Sequence, residues 1–140
     1  MVIEKKSLQV GALELQLELA DGALRAVDLP ETVPDDFGAQ ALRQVVRKLS
    51  DYEIAFDEAT PFTHAVWTRM REIPAGETVS YGALAAAMGR PKAARAVGAA
   101  VGRNRLLILL PCHRIVGKSG LGGFRGGLAW KRKLLDLERA

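Results

Sequence analysis

The sequence predicts an α+β fold, with a small β-hairpin or sheet and a helix in its N-terminal part and a group of helices in its C-terminal part. Apolar and polar residues alternate near the N-terminus, as in half-buried strands, and helix-starting and helix-ending residues recur beyond position 60. The charge also changes: residues 1–60 hold six Lys and Arg against 12 Asp and Glu, whereas residues 61–140 hold 14 against four. We therefore expect two units, residues 1–57 and 58–140.

The N-terminal unit is predicted to be a hairpin followed by a helix. Leu8 to Ala20 alternates as a strand does, Asp21-Gly22 is a tight-turn pair, and Ala23 to Leu29 would be the returning strand. Asp35 or Asp36 is expected to cap a helix. Its apolar face would consist of Phe37, Ala41, Val45 and Leu49.

A linker is expected to join the two units. A short strand is predicted near Ile54 to Phe56, and Glu58 to Pro61 has the composition of a linker. Beyond it, Thr63 to Arg71 has helical spacing, and the segment Ile73 to Gly76 breaks the helix.

The next segment predicts a helix-turn-helix. Ser80 is a favourable N-cap for a helix over Tyr81 to Met88, and Gly89 suits its C-terminal end. Pro91 suits the first turn of a second helix that runs to about Val101. Two short helices joined by a tight turn are typical of this motif, which also occurs in proteins that do not bind DNA.

The second helix of the motif has two contrasting faces. One is slender and basic, with Lys92, Arg95, Ala99 and Gly102 at helical spacing, and the other is apolar, with Ala94, Val97 and Val101. Such a helix could enter a DNA groove closely. The alternative is a surface helix whose alanines pack tightly on a small core.

The single cysteine follows an apolar run. Leu106 to Leu110 is predicted to be a buried strand, and Pro111 would end its pairing. Cys112 would then lie at the edge of the core near a cleft. A lone cysteine beside leucines is most often an inert core residue.

Three features favour a reactive thiol instead. His113 and Arg114 follow directly, and cationic neighbours lower the pKa of a thiol. The stretch Ser119 to Gly127 holds five glycines and Phe124, so its backbone could approach a flat ligand. A final helix, about Leu128 to Arg139, carries Glu138, whose carboxylate could orient the histidine.

The composition limits the class of protein. One cysteine excludes an internal disulfide and a cysteine-rich zinc cluster, and with only two histidines we expect no metal site. The longest apolar run is too short to cross a bilayer, and the first ten residues lack a signal-peptide pattern, so we expect a cytoplasmic protein without membrane contact. The basic half suggests a polyanionic partner, although a solvated basic surface would give the same composition.

The motif Pro-Cys-His-Arg-Ile-Val at 111–116 matches the active-site signature of the O6-alkylguanine-DNA alkyltransferases, or methylated-DNA–protein-cysteine methyltransferases. The resemblance covers about residues 58 to 139, and its motifs occur in family order at nearly family spacing. The other matching residues are 60–62, 73–81, 91–98, Asn104, Gly126, Gly127, Lys131, Leu134, Leu135 and Glu138.

The resemblance implies direct reversal of DNA damage, with base flipping and one irreversible transfer per chain. Cys112 would accept the alkyl group from guanine O6, His113 would act as its base through a water, and Glu138 would hold the histidine. Tyr81 would help to rotate the nucleotide and protonate the departing base, near Lys131. The pocket and its supports would include Asn104, Arg114, Ser119, Gly120 and Phe124.

The resemblance also implies how DNA would be held. Arg95 would take the place of the flipped base, and the helix would dock in the minor groove of double-stranded DNA. The other expected DNA-binding residues are Ser80, Lys92, Ala94, Ala96, Gly98 and Arg103. The fold would be a shortened ribonuclease H-like unit followed by a winged-helix-like unit. We expect a monomer that needs no cofactor.

Some residues depart from the family pattern. Arg105 replaces the usual proline after the asparagine, and Phe124 replaces a common tyrosine, so the turn and the range of alkyl groups are open. Whether O4-alkylthymine is a substrate is also open. The competing hypotheses are a non-catalytic relative that binds alkylated DNA, which would lack the cysteine, a helix-turn-helix regulator, and a cysteine hydrolase.

Overall fold

The protein is α+β, as predicted, with one three-stranded sheet, one two-stranded sheet and five α-helices among the residues described. The computed structural model describes residues 1–55 and 59–140. The elements in chain order are β1 (Ile3–Val10), β2 (Leu13–Ala20), β3 (Ala23–Asp28), α1 (Ala39–Leu49), α2 (Pro61–Met70), β4 (Val79–Ser80), α3 (Tyr81–Ala87), α4 (Ala94–Gly102), a 3₁₀ turn (Cys112–Arg114), β5 (Ile115–Val116) and α5 (Leu128–Arg139).

The N-terminal sheet is an antiparallel meander in the order β1-β2-β3. The prediction of one strand from Leu8 to Ala20 is wrong, because the chain turns at Gly11 (φ +58°) and Leu8 pairs with Leu15. β1 was missed because it is an edge strand that is exposed on both faces until its last residues, so it lacks alternation. β2 does alternate between exposed and buried residues, and the Asp21-Gly22 turn is confirmed.

Helix α1 begins later than predicted. Its N-cap is Gly38, without a capping side chain, and neither Asp35 nor Asp36 caps it. The Asp36 carboxylate instead accepts a hydrogen bond from the Ala12 N–H at 3.1 Å, which fixes the β1–β2 turn. Phe37 therefore precedes the helix, and it packs edge-on against Trp130.

The predicted strand near residue 54 is reduced to a single parallel bridge between Ile54 and Leu24. Phe56 and Glu58 lie outside the described residues, as does the expected boundary between the two units at residues 57 and 58.

The helices of the C-terminal part lie close to their predicted positions. The Thr60 hydroxyl caps α2, which therefore starts at Pro61 instead of Thr63. Ser80 caps α3 as predicted, and Gly89 has a left-handed φ of +75° beyond its end. Helix α4 starts at Ala94, because Pro91 and Lys92 lie in the turn before it.

The predicted strand from Leu106 to Leu110 is wrong. The segment is a series of turns, with one bridge from Leu106 to Val27 and a left-handed Ile108 (φ +71°). The Asn104 side chain explains the turn, because its amide bonds both ends of the segment. Oδ1 accepts from the Leu106 N–H at 2.9 Å, and Nδ2 donates to the Leu110 carbonyl at 3.2 Å. The segment is still buried apart from Leu109, which is partly buried, as the apolar run indicated.

The two halves of the chain pack against each other through one continuous hydrophobic core. The Trp130 indole N–H donates to the Pro30 carbonyl at 2.7 Å, and the Val27 N–H donates to the Arg105 carbonyl at 2.8 Å. A second, two-stranded sheet pairs β4 with β5 in parallel. These contacts fix the turn that carries Cys112 against both halves of the molecule. Within the described residues, no helix has the length and apolarity to cross a membrane.

Candidate active site

The 3₁₀ turn places Cys112 just inside the protein surface. Its side chain is 5% exposed and forms no disulfide, and its N–H donates to the Leu110 carbonyl at 2.7 Å. Pro111 lacks an N–H, which suits its position at the start of this tight turn. The thiol is thus held in a fixed position at the edge of the core.

His113 and Arg114 of the turn form a hydrogen-bonded cluster with Glu138 of α5, in which His113 is buried and the other two are partly buried. His113 Nε2 lies 3.0 Å from Glu138 Oε2. The Arg114 guanidinium donates to both Glu138 oxygens, at 3.0 and 2.5 Å, and to the Ile73 carbonyl at 2.7 Å. The predicted pairing of the histidine with Glu138 is therefore present, and Arg114 supports the carboxylate.

The cluster determines which nitrogen of His113 carries the proton. A carboxylate can only accept, so Nε2 is the N–H that donates to Glu138, and Nδ1 of the neutral ring is unprotonated. Nδ1 is buried and has no hydrogen-bond partner within the described part of the chain. Burial raises the pKa of Glu138, but hydrogen bonds from His113 and Arg114 outweigh this and bring it to about 2. Glu138 is therefore ionised at neutral pH, and Nδ1 is available to take a proton.

Lys131 is a fully buried cation that lies close enough to Cys112 for their charges to interact. Its Nζ donates to the carbonyls of Ile115 at 2.6 Å and Gly123 at 2.9 Å. Burial lowers the pKa of Lys131, and the nearby Cys112 partly offsets this effect. The two carbonyls compensate the cost of burying the ammonium group, so a positive charge is kept close to the sulfur.

The pKa of Cys112 is raised, which corrects one sequence-based expectation. Burial raises it, and the Asn104 hydrogen bond and the charges of Lys131 and Arg125 lower it only in part. The expectation that His113 and Arg114 would themselves lower this pKa is wrong, because both side chains are directed to Glu138. In the free protein the sulfur is a thiol at neutral pH and needs a base.

Tyr81 connects Cys112 to an open cleft. Burial and the nearby Cys112 raise the pKa of Tyr81, and a hydrogen bond with the Gly123 backbone lowers it. The phenol therefore keeps its proton at neutral pH. A cleft of about 650 Å³ lies on its other side, lined by Ser80–Ala83, Ala94, Arg95, Gly98 and Lys118. Cys112 does not line this cleft, whereas Tyr81 lines it and also interacts with Cys112.

Residues 117–127, here called the glycine loop, pack against the site residues His113, Tyr81 and Lys131. Phe124 packs edge-on to His113, with 6.4 Å between the ring centroids. Gly122 has a φ of +72°, and an added Cβ would lie 3.1 Å from the Gly117 nitrogen and 3.2 Å from the Tyr81 hydroxyl, so a side chain there would be strained and tightly packed. Ser119 and Gly120, predicted for the pocket, are exposed at the start of the loop.

The helix predicted to bind DNA presents the expected faces. Val97, Ala100 and Val101 are buried, whereas Arg95, Ala96 and Ala99 are exposed and Ala94 and Gly98 are partly exposed. Lys92 is exposed but lies in the turn before α4. Arg103 lies beyond its C-terminal end, where it lines a second cleft of about 460 Å³ together with Arg25, Arg105 and Arg125. Arg103 is thus separate from the Tyr81 cleft.

Two contributors to the site were not found by sequence reasoning. Arg125 and the backbone of Gly123 both interact with site residues. In the sequence, only their position next to Phe124 in the glycine-rich stretch could have indicated this. Within the described residues, no three His, Cys, Asp or Glu side chains form a group that could hold a metal ion.

Comparison with known proteins agrees with this geometry. Residues 61–140 match the family model described as "6-O-methylguanine DNA methyltransferase, DNA binding domain", which covers more than half of the chain. The chain belongs to the methylated-DNA–protein-cysteine methyltransferase family. The family and the type of activity predicted from the sequence, alkyl transfer from DNA to a protein cysteine, are thereby confirmed.

Individual methyltransferases show how far the likeness extends. The chain is 40% identical over 116 residues to a probable methylated-DNA–protein-cysteine methyltransferase of Acanthamoeba polyphaga mimivirus, covering 81% of this chain and 78% of that protein. It is 53% identical over 81 residues to the inducible methyltransferase of Bacillus subtilis, covering 57% of this chain but 45% of that protein. The chain thus spans about half the length of that bacterial relative.

A solved methyltransferase structure matches nearly the whole fold. The Mycobacterium tuberculosis protein OGT in complex with DNA is 34% identical, with a TM-score of 0.72, covering 96% of this chain and 91% of that one. The likeness therefore includes the N-terminal sheet, which the family model does not cover.

Proposed function

We propose that this protein repairs alkylated DNA by moving the alkyl group from O6 of guanine to the Cys112 sulfur. The single observation that carries the proposal is a buried thiol that directly precedes the His113–Glu138 pair in one turn and lies close enough to the buried cation Lys131 for their charges to interact. That arrangement supplies a nucleophile, a base and a positive charge for the anion that forms. A non-catalytic relative would need no such nucleophile, and a regulator would not account for the His113–Glu138 pair.

In the proposed reaction the thiol proton passes to His113 Nδ1 through a water. The thiolate then attacks the alkyl carbon, so that a carbon–sulfur bond forms as the carbon–oxygen bond breaks. The electron pair of the broken bond stays on the guanine, and Tyr81 supplies the proton that makes the departing base neutral. Since no step restores the thiol, each chain reacts once.

His113 and Glu138 support the first step by their geometry. Nε2 is bound to an ionised carboxylate, which stabilises the imidazolium formed when Nδ1 gains a proton. Arg114 holds the carboxylate in place from the other side. Asn104 contributes by holding the turn and by its hydrogen bond to the sulfur. These features leave Nδ1 as the nitrogen of His113 that can take a proton.

DNA is proposed to bind along α4, with its minor groove facing the exposed side of the helix. Ser80, Ala94 and Gly98 line the Tyr81 cleft and leave room for a nucleotide backbone, and Ala96 is small enough for close approach. Arg95 also lines this cleft, where it could replace the flipped base in the stack. Lys92 and Arg103 would contact phosphates at the two ends of the helix.

The pocket for the flipped base is proposed to form between Tyr81 and the glycine loop. Ser119, Gly120 and Phe124 would be its loop side. Because Cys112 is nearly buried, the loop must shift for the base to reach the sulfur. Phe124 has no hydroxyl to bond the alkylated oxygen, so the pocket would select alkylated bases by their shape. O4-alkylthymine is therefore a candidate second substrate.

We further propose that the N-terminal unit, residues 1–57, is a shortened ribonuclease H-like domain and that residues 58–140 form a winged-helix-like domain. The meander followed by α1 supports the first description, and the Ser80-capped helix pair supports the second. The protein is proposed to act as a cytoplasmic monomer on double-stranded DNA.

Stoichiometry tests the proposed function. Increasing amounts of a duplex with one O6-methylguanine are incubated with a fixed amount of protein, and the restored guanine is counted after hydrolysis of the DNA. We expect restoration to stop at one guanine per chain, and Cys112→Ser to restore none while still binding the duplex. Restoration beyond one per chain, or activity in Cys112→Ser, would contradict the proposal.

A further inference from the structure

Arg125 links the glycine loop to the helix proposed to dock on DNA. Its guanidinium donates to the Gly102 carbonyl at 3.0 Å, at the C-terminal end of α4. The last carbonyls of a helix lack partners within the helix, and a cation placed there also interacts favourably with the helix dipole. Arg125 directly follows Phe124, the loop residue that packs on His113. One side chain thus ties the wall of the active site to the end of α4.

The glycine loop is also held from two other sides. The Gly123 carbonyl accepts from Lys131 on α5, and the Gly123 backbone is hydrogen-bonded to Tyr81 on α3. Of the three attachments, only that of Arg125 leads to α4. It is also the exposed one, whereas Lys131 is fully buried. Arg125 therefore gives the direct attachment of the loop to α4, whereas Tyr81, which lies against Gly98 of α4, gives an indirect one through α3.

We propose that Arg125 is a positioning residue for alkyl transfer, which couples docking of α4 on DNA to the placement of the glycine loop over Cys112. The inference rests on the proposed function and deepens it. Arg125 touches neither the base nor the sulfur. Arg125 acts by holding Phe124 and Gly123 in the positions where Gly123 contacts Tyr81 and Lys131. Its positive charge also interacts with the Cys112 thiol without touching it.

The charge of Arg125 adds an effect that a purely structural link would not have. Four groups among the described residues interact with the thiol: Lys131 from α5, Arg125 from the glycine loop, Tyr81 from α3 and Asn104 from the turn before Cys112. His113 follows Cys112 in the 3₁₀ turn. Lys131 contributes more than Arg125, and Arg125 is exposed to solvent, so salt should weaken its contribution. Because the Arg125 charge lowers the pKa of the thiol, removing it should still shift the rise of the Cys112 alkylation rate with pH to higher pH.

Three variants separate the hydrogen bond from the charge. Arg125→Ala removes both, Arg125→Gln keeps a donor without charge, and Arg125→Lys keeps both. Arg43→Ala on α1, also exposed, is the charge-matched control. The rate of Cys112 alkylation is measured against pH with the free base O6-benzylguanine and with a methylated duplex, alongside the melting temperature of each variant.

We expect Arg125→Ala to slow both reactions by about tenfold, roughly the effect of one hydrogen bond from a charged group. The duplex reaction should lose more, because docking no longer sets the loop. The acid limb should move to higher pH in Arg125→Ala and Arg125→Gln, and Arg125→Lys should restore it. If Arg125→Ala matches Arg43→Ala in rate with the free base, or if its pH profile is unchanged, the proposal is wrong.

The design distinguishes this inference from the proposed function. If wild-type protein fails to transfer the alkyl group to Cys112, the proposed function fails. If wild type reacts and the Arg125 variants react equally well, the proposed function stands and the role of Arg125 is refuted. Should Arg125→Ala be unfolded, the comparison of Arg125→Gln with Arg125→Lys still decides the role of the charge.

Discussion

At the scale of single residues, the site depends on paired charges that are buried together. Lys131 is tolerated inside the protein because two carbonyls bind its ammonium group, and Glu138 because Arg114 and His113 surround it. Buried charges without such partners would be strongly destabilising. The same hydrogen bonds keep Glu138 ionised and direct Nε2 of His113 to its carboxylate. Stability and reactivity are therefore linked through the same hydrogen bonds.

Glu138→Gln should lower stability in a pH-dependent way. The pKa of Glu138 is about 2 in the folded protein, below its ordinary value of 4.5, so folding favours the ionised form. The stabilisation is complete above about pH 4.5 and is lost as the pH falls toward 2. The melting temperature of the variant should lie below that of wild type at pH 7, and the difference should shrink at about pH 3.

The matched control for this measurement is Glu72→Gln, an exposed carboxylate beyond the end of α2. It should follow wild type across the same pH range. A difference between wild type and Glu138→Gln that stays constant from pH 7 to pH 3 would contradict the ionised pair.

At the scale of elements, the turn from residue 104 to residue 110 positions the nucleophile. The sequence indicated correctly that most of its leucines are buried, but apolar runs do not distinguish a strand from buried turns. The deciding interaction is the Asn104 amide, which bonds the two ends of the segment and replaces the pairing that a strand would have. A sequence pattern cannot show such a bond between residues six positions apart. The helices were predicted well because caps such as Ser80 are local signals.

Asn104→Ala should destabilise the protein by about 1 to 3 kcal/mol, because it leaves the Leu106 N–H without its partner and removes one of the two hydrogen bonds that the Leu110 carbonyl accepts. It should also slow alkylation of Cys112, since the hydrogen bond that lowers the pKa of the thiol is lost. Urea unfolding measures the first effect and the rate with O6-benzylguanine the second. Gln40→Ala, an exposed amide on α1, is the control. A loss below about 0.5 kcal/mol would show that the turn does not depend on Asn104.

Arg95→Ala tests the role of α4. Only a base within a duplex must be flipped, so the variant should repair a duplex at least about tenfold more slowly, given a flipping cost of a few kcal/mol. The rate of its reaction with free O6-benzylguanine should change by less than about twofold. This corresponds to much less activation free energy than the roughly 1.4 kcal/mol of a tenfold change. Arg132→Ala, which removes an exposed charge from α5, should leave both rates near wild type. Equal losses on the two substrates would count against insertion of Arg95 into the stack.

At the scale of the whole molecule, the two halves share one core but differ in charge. The acidic half forms the sheet and α1, and the basic half carries the site and α4. The charge difference is a property of the sequence itself, and the boundary expected at residues 57 and 58 stays a prediction. The sequence did not predict how the halves are joined, because contacts such as Trp130 to Pro30 span 100 residues. Nor could it reveal Arg125, whose partner Gly102 lies on another element.

DNA affinity should fall steeply as salt rises. A protein that neutralises phosphates releases counterions, so the logarithm of its affinity falls linearly with the logarithm of the salt concentration. Lys92→Ala and Arg103→Ala should each reduce that slope by about one, whereas Arg43→Ala on the acidic half should leave it unchanged. Fluorescence anisotropy of a labelled duplex measures the slope. A flat salt response in wild type would mean that the basic half does not contact phosphates.

The most direct test of the central claim is the mass of the protein after exposure to a duplex containing O6-methylguanine, followed by mapping of the modified peptide. We predict that every active chain gains one methyl group in place of one hydrogen, and that it resides on the peptide containing Cys112. A methyl group on any other residue, or an unchanged mass while guanine is restored in the DNA, would contradict the assignment of Cys112 as the alkyl acceptor.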